Sequence, residues 1–177
     1  MTRYGEKTAR FIKEVHAINV FFKFINKFKN PVLIAHNAPF DLKYLGVRAK
    51  MYGIKMKTYK TLDTLELNKM YFIPLLKSVE GSDELDLILK SLSTKTTTGK
   101  QKVSSTLGNL STAMSIDVKG WHNALADVDM LMKVLAKMVG MFKKYQDVDI
   151  SDLHRKEVLR VAKSQHKRKH TPKKKKK

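Results

Sequence analysis

Cysteine is absent from this 177-residue chain, which excludes disulfides and thiolate metal sites. No apolar run approaches the roughly 18 residues that a membrane-spanning helix needs. The N-terminus lacks the basic, apolar and small-residue regions of a signal peptide in their usual order. Acid is scarce. Asp and Glu number 16 against 36 Lys and Arg, for a net charge of +20. Residues 1–35 hold only Glu6 and Glu14 as acids, and residues 158–177 hold none. These absences lead to the expectation of an intracellular protein without a membrane role. It would be cytoplasmic or nucleoid-associated, or nuclear if the host has a nucleus.

What is present is enough apolar residue, 42% of the chain, for a domain with a core. The last twenty residues carry ten basic side chains, so the rest of the chain still carries +10. A basic body with a more basic tail suits a polyanion, and nucleic acid is the leading partner class. The run Lys173, Lys174, Lys175, Lys176 and Lys177 is expected to meet phosphates, which confers affinity without base specificity. The plain alternative is a tail that only keeps the protein soluble.

Hydrophobic periodicity predicts an amphipathic helix over 6–28, with Ile18, Phe22 and Ile25 among its apolar positions, ended by Asn30-Pro31. "VLIA" (32–35) predicts a short buried strand, 38–53 a helix, and 55–64 a second strand. A short helix over 65–72 is expected to close at Pro74. Ser82 followed by acids predicts a helix start over 82–92. The Thr- and Lys-rich stretch 93–102 predicts a polar loop. A short helix over 104–114 and a long one over 121–144 follow. The apolar stripe of the long helix is read as Leu125, Val128, Leu131, Met132, Leu135, Met138 and Val139. A last helix over 152–165 precedes a low-complexity tail. Strands alternating with helices predict an α/β fold. The expected organisation is one domain over 1–146, a C-terminal helix over 147–165 and a disordered Lys-rich tail over 166–177.

Two stretches carry candidate chemistry. In "PVLIAHNAPFDLKYL", Asp41 follows a strand, where α/β folds place ligand-binding groups. In "WHNALADVD", His122 and Asp127 stand five residues apart, about 500° of helical rotation. That spacing suits a histidine before the helix and an aspartate in its second turn. Carboxylates of this kind can hold divalent ions about a scissile phosphate, with a histidine accepting a proton from water. Oxygen ligands suit Mg²⁺ or Mn²⁺. Taken singly, Asp41 is equally a helix cap, His122 a packed side chain and Asp127 part of a solvated face.

Taken together, "HNAPFD" after one strand, "LDTLEL" after a second and "HNALAD" leading a long helix resemble the DEDDh 3′–5′ exonucleases. That family includes the proofreading subunit of bacterial replicative polymerases, ribonuclease T and oligoribonuclease. The resemblance covers roughly residues 10–140. It implies an RNase H-like fold and a Mg²⁺- or Mn²⁺-dependent hydrolase acting at a single-stranded 3′ end of DNA or RNA, as in proofreading during DNA replication. It further implies metal-ligand roles for Asp41 and Asp127 and the general-base role for His122. Asn37 and Phe40 fall where the family lines the pocket for the terminal nucleotide. Asp63 falls at a position the family often fills but does not use as a ligand.

The family's first motif, Asp-x-Glu on the first strand, is not found before Asp41. The chain thus resembles the C-terminal two-thirds of the domain, with the first strands missing. The sheet is then expected to have an open edge and its neighbours exposed apolar faces. Three explanations stand: a separate polypeptide that supplies the Asp-x-Glu strands, a truncated reading frame, or a non-catalytic module that binds nucleic acid or a DNA polymerase. Retention of Asp41, His122 and Asp127 favours an enzyme that something else completes.

Overall fold

A computed structural model describes residues 13–95, 97–118, 120 and 123–146. The fold is mixed α/β, mostly helical with a few short strands. It divides into two compact units, one ending at Asp63 and the other beginning at Thr64. None of the described helices is long and apolar enough to cross a membrane. The C-terminal helix expected over 147–165 and the Lys-rich tail lie outside the described residues.

In the first unit the order is α1 (Glu14–Ile25), β1 (Val32–Ala35), α2 (Ala38–Met51) and β2 (Lys60–Asp63). β1 and β2 fall within the two expected strands, but β1 is half-buried to exposed rather than buried, and β2 is shorter than 55–64. They pair in parallel, Val32 opposite Lys60 through Ala35 opposite Asp63, with α2 as the crossover. Helix α1 buries Ile18, Phe22 and Ile25 against Ala49 of α2, with Leu33, Tyr52 and Tyr59 packed around them. The apolar i, i+4, i+7 spacing of α1 therefore faces the core as its period requires. Among the described residues this sheet has only two strands, and Val32 is exposed.

A cluster invisible in the sequence ties α1 to α2. The Glu14 carboxylate accepts hydrogen bonds from the Arg48 guanidinium, the Tyr44 hydroxyl at 3.0 Å and the Tyr52 hydroxyl at 2.8 Å. These donors, Arg48 first, hold the Glu14 carboxyl down to about 2.

The second unit continues with α3 (Thr64–Leu67), a π-helical stretch (Asn68–Phe72), α4 (Ile73–Ser78), α5 (Asp83–Leu92), β3 (Ser93–Lys95), β4 (Gln101–Val103), α6 (Leu107–Ala113) and α7 (Ala124–Gln146). Pro74 does not close the preceding helix. It stands in the first turn of α4, where its missing N–H is tolerated, and the wider π turn before it adapts the hydrogen-bond ladder. Buried Asn68 sits at the start of that wide turn, and its side-chain amide has no hydrogen-bond partner among the described residues.

Helix α5 begins as expected, with the Ser82 hydroxyl accepting from the Leu85 amide at 3.4 Å. The stretch 93–102 is not a plain loop. β3 and β4 form an antiparallel hairpin, with Ser93 opposite Val103, a pairing that the β-propensity of threonine supports.

The expected apolar stripe of α7 proves to be two faces. Leu131, Leu135 and Met138 are buried together with Met130, Val134, Met141 and Phe142. Leu125, Val128 and Met132 are exposed, about a third of a turn round the helix from the buried face. The far end of α7 is anchored on the start of α5, where Glu84 accepts from Lys144 at 2.8 Å and from the Tyr145 hydroxyl at 2.9 Å.

Candidate active site

Asp41 lies in the first turn of α2, just beyond the carboxyl end of β1. Parallel strands put their carboxyl ends on one edge, so β2 also ends there, at Asp63. What fixes the start of α2 is Asp63. The Asn37 amide donates to one Asp63 carboxylate oxygen at 2.9 Å, and the Ala38 amide donates to the other at 3.1 Å. Asp63 is buried, so these two amides come from the set that a helix leaves without intrahelical partners. The carboxylate is also favourably placed against the helix dipole. Asn37 itself has φ 77° and makes no side-chain cap. Its left-handed backbone turns the chain sharply out of β1, and asparagine tolerates that conformation better than most residues.

This geometry brings together Asn37, Phe40 and Asp41 at one end of the strand pair. Phe40 is 69% exposed. Asp41 is exposed as a residue, yet its carboxyl is raised above the ordinary range. The surrounding protein removes part of its water, and Asp63 adds like-charge repulsion. The backbone amide of Asp41 and the nearby His36 partly offset both effects.

Asp127, in the second unit, occupies the first turn of α7 rather than the expected second. The helix starts at Ala124, and the Asn123 side chain caps it by accepting from the Leu125 amide at 3.0 Å. Beside this start lies a shallow open hollow of about 660 Å³, lined by Gly120, Asn123, Leu125, Ala126, Val128, Asp129 and Met132. Its walls are mainly apolar, and the Asp129 carboxylate is paired with Lys133 at 2.6 Å. The sequence missed this hollow because the apolar stripe of α7 read as a single core face. His122 and Lys173, Lys174, Lys175, Lys176 and Lys177 lie outside the described residues.

The donor set among the described residues falls short of a two-ion centre. Among the described residues, no group of three or more His, Cys, Asp or Glu could hold a metal ion. Among the described residues of the first unit, Asp63 accepts from the α2 amides, and Asp41 is the other carboxylate at that edge. Comparison with family models, curated proteins and solved structures finds no match to this chain.

Proposed function

We propose that the chain is the C-terminal part of an RNase H-like, DEDDh-type 3′–5′ exonuclease domain, acting on single-stranded 3′ ends of DNA or RNA. In this reading Asp41 and Asp127 are two of its four acidic ligands and His122 is its base. Asn37 and Phe40 shape the pocket for the terminal nucleotide. The observation that carries the reading is the position of Asp41. It stands at the carboxyl ends of two parallel strands, where open α/β sheets bind ligands, inside the six-residue motif that suggested the family. The two aspartates do not by themselves make a site for Mg²⁺ or Mn²⁺. The Asp-x-Glu pair must come from outside these 177 residues.

The test mixes the chain with a polypeptide carrying an Asp-x-Glu strand, a 5′-labelled oligonucleotide and Mg²⁺. A ladder of shortened products is expected, and His122→Ala and Asp41→Asn should each abolish it. No products, or a ladder unchanged by His122→Ala, overturns the reading. A second reading is a module that binds nucleic acid, or a polymerase, without cleaving. The observation in its favour is the absence of a three-carboxylate cluster among the described residues.

A further inference from the structure

At the end of β1 opposite to Asn37 and Asp41, two aromatic rings stand in the open. Phe24 is 57% and Phe28 54% exposed, with ring centroids 5.4 Å apart in an edge-to-face arrangement. They are held one turn apart by the way α1 ends. The Lys27 amide donates to the Phe24 carbonyl at 3.1 Å and the Phe28 amide to the Ile25 carbonyl at 3.2 Å, so tight turns carry the chain past the helix. The inner side of the same turn is fixed to the core. Phe22 and Ile25 are buried, Phe22 stacks on Tyr59, and the Tyr59 hydroxyl donates to the Asn26 side chain at 3.2 Å.

The charge around the rings has one sign. Lys23, Lys27 and Lys29 are exposed, and no acidic residue occurs between Glu14 and Asp41. Lys60, at the start of the strand that pairs with β1, and Lys57 just before it add exposed positive charge. The helix dipole explains lysines at the end of a helix. It does not explain two large exposed rings beside them.

We infer that Phe24 and Phe28, with Lys23, Lys27 and Lys29, form a stacking platform for single-stranded nucleic acid, distinct from the Asn37–Asp41 edge. Successive bases lie on the rings while the lysines meet the phosphates, the combination by which proteins hold single strands without reading sequence. Charge complementarity selects a polyanion, and the paired exposed rings select one that carries flat π faces. An anionic lipid surface would satisfy the lysines, but two rings with Val20 and Val32 are a small apolar face to bury in a membrane. The inference does not rest on the exonuclease reading, because Asp41, His122 and Asp127 take no part.

The test uses the whole chain in EDTA, so that cleavage plays no role. The probes are a labelled oligothymidylate, an abasic oligonucleotide with the same number of phosphates, and phosphatidylserine vesicles. The unaltered chain should prefer oligothymidylate to the abasic strand. Phe24→Leu/Phe28→Leu keeps apolar bulk and removes the π faces. It should cut oligothymidylate affinity about tenfold or more and leave abasic binding unchanged. If the double variant fails to fold, Phe28→Leu alone, beyond the end of α1, reads the same preference with a smaller loss. The platform is overturned if the unaltered chain shows no preference for bases, or if the folded variant keeps the full preference. It is also overturned if the variant loses only vesicle binding, which would make the surface a membrane contact.

Discussion

The same six-residue pattern begins a helix in each unit, and the two helices are capped by different means. His36-Asn37-Ala38-Pro39-Phe40-Asp41 and His122-Asn123-Ala124-Leu125-Ala126-Asp127 share His, Asn, Ala and Asp at identical spacing. In both, Ala is the first helical residue and Asp stands in the first turn. Asn123 caps α7 with its own side chain. Asn37 cannot do this in its left-handed conformation, and Asp63 of the neighbouring strand caps α2 instead. The same local pattern thus marks a helix start and its aspartate in both units. In the first unit, rigidity comes from a buried carboxylate 26 residues away in the sequence.

Removing that carboxylate should have the largest effect. Asp63→Ala leaves the part-buried Asn37 amide and the buried Ala38 amide without this partner. It is expected to cost about 1–3 kcal/mol, read as a lower urea midpoint and as faster hydrogen exchange in α2. Asn123→Ala removes an exposed cap and should cost only about 0.5–1 kcal/mol. Equal losses in the two variants would show that Asp63 is no more than an ordinary cap. Between these lies Asn37→Ala, expected to cost about 1 kcal/mol because alanine tolerates the left-handed backbone poorly. Asn37→Gly should be neutral or slightly stabilising. If both behave alike, the positive φ does not govern this turn.

The contrast also shows what the sequence could reveal. β1 and the starts of α2 and α5 are legible because local signals mark them: β-branching, Asn-Ala-Pro, and Ser82 before acids. The job of Asp63 was not legible, since its partners are brought to it by strand pairing. Pro74 reads as a helix stop, but the π turn at Asn68–Phe72 accommodates it. Residues 93–102 look polar and loop-like, yet a hairpin forms because its backbone pairs without needing a buried face. In α7, Leu125, Val128 and Met132 match the helical period as well as Leu131 and Leu135 do. Periodicity assigns residues to a helix more readily than it decides which of two adjacent faces is covered. Of the candidate site, the edge holding Asn37, Phe40 and Asp41 is readable as a unit, whereas nothing in the sequence singles out Phe24 and Phe28 from the apolar residues around them.

The smallest expected effect concerns acid, because the carboxylates involved are partly or well exposed and water screens them. Each unit has one clamp of the same chemistry: Glu14 with Arg48, Tyr44 and Tyr52, and Glu84 with Lys144 and Tyr145. Hydrogen bonds from these partners lower both carboxyls, and Glu14 falls from 4.5 to about 2. A depressed carboxyl contributes stability above its unfolded value and loses it as pH falls through its folded value. Protection of α1 and α2 amides should therefore decline as pH drops from 4.5 towards 2. Glu14→Gln should lack that decline, having already given up the ionic part of the clamp at neutral pH. Glu84→Gln should flatten the acid response of α5 and the end of α7 while leaving α1 and α2 unchanged. A decline in α1 and α2 that persists in Glu14→Gln would place their acid sensitivity outside this clamp.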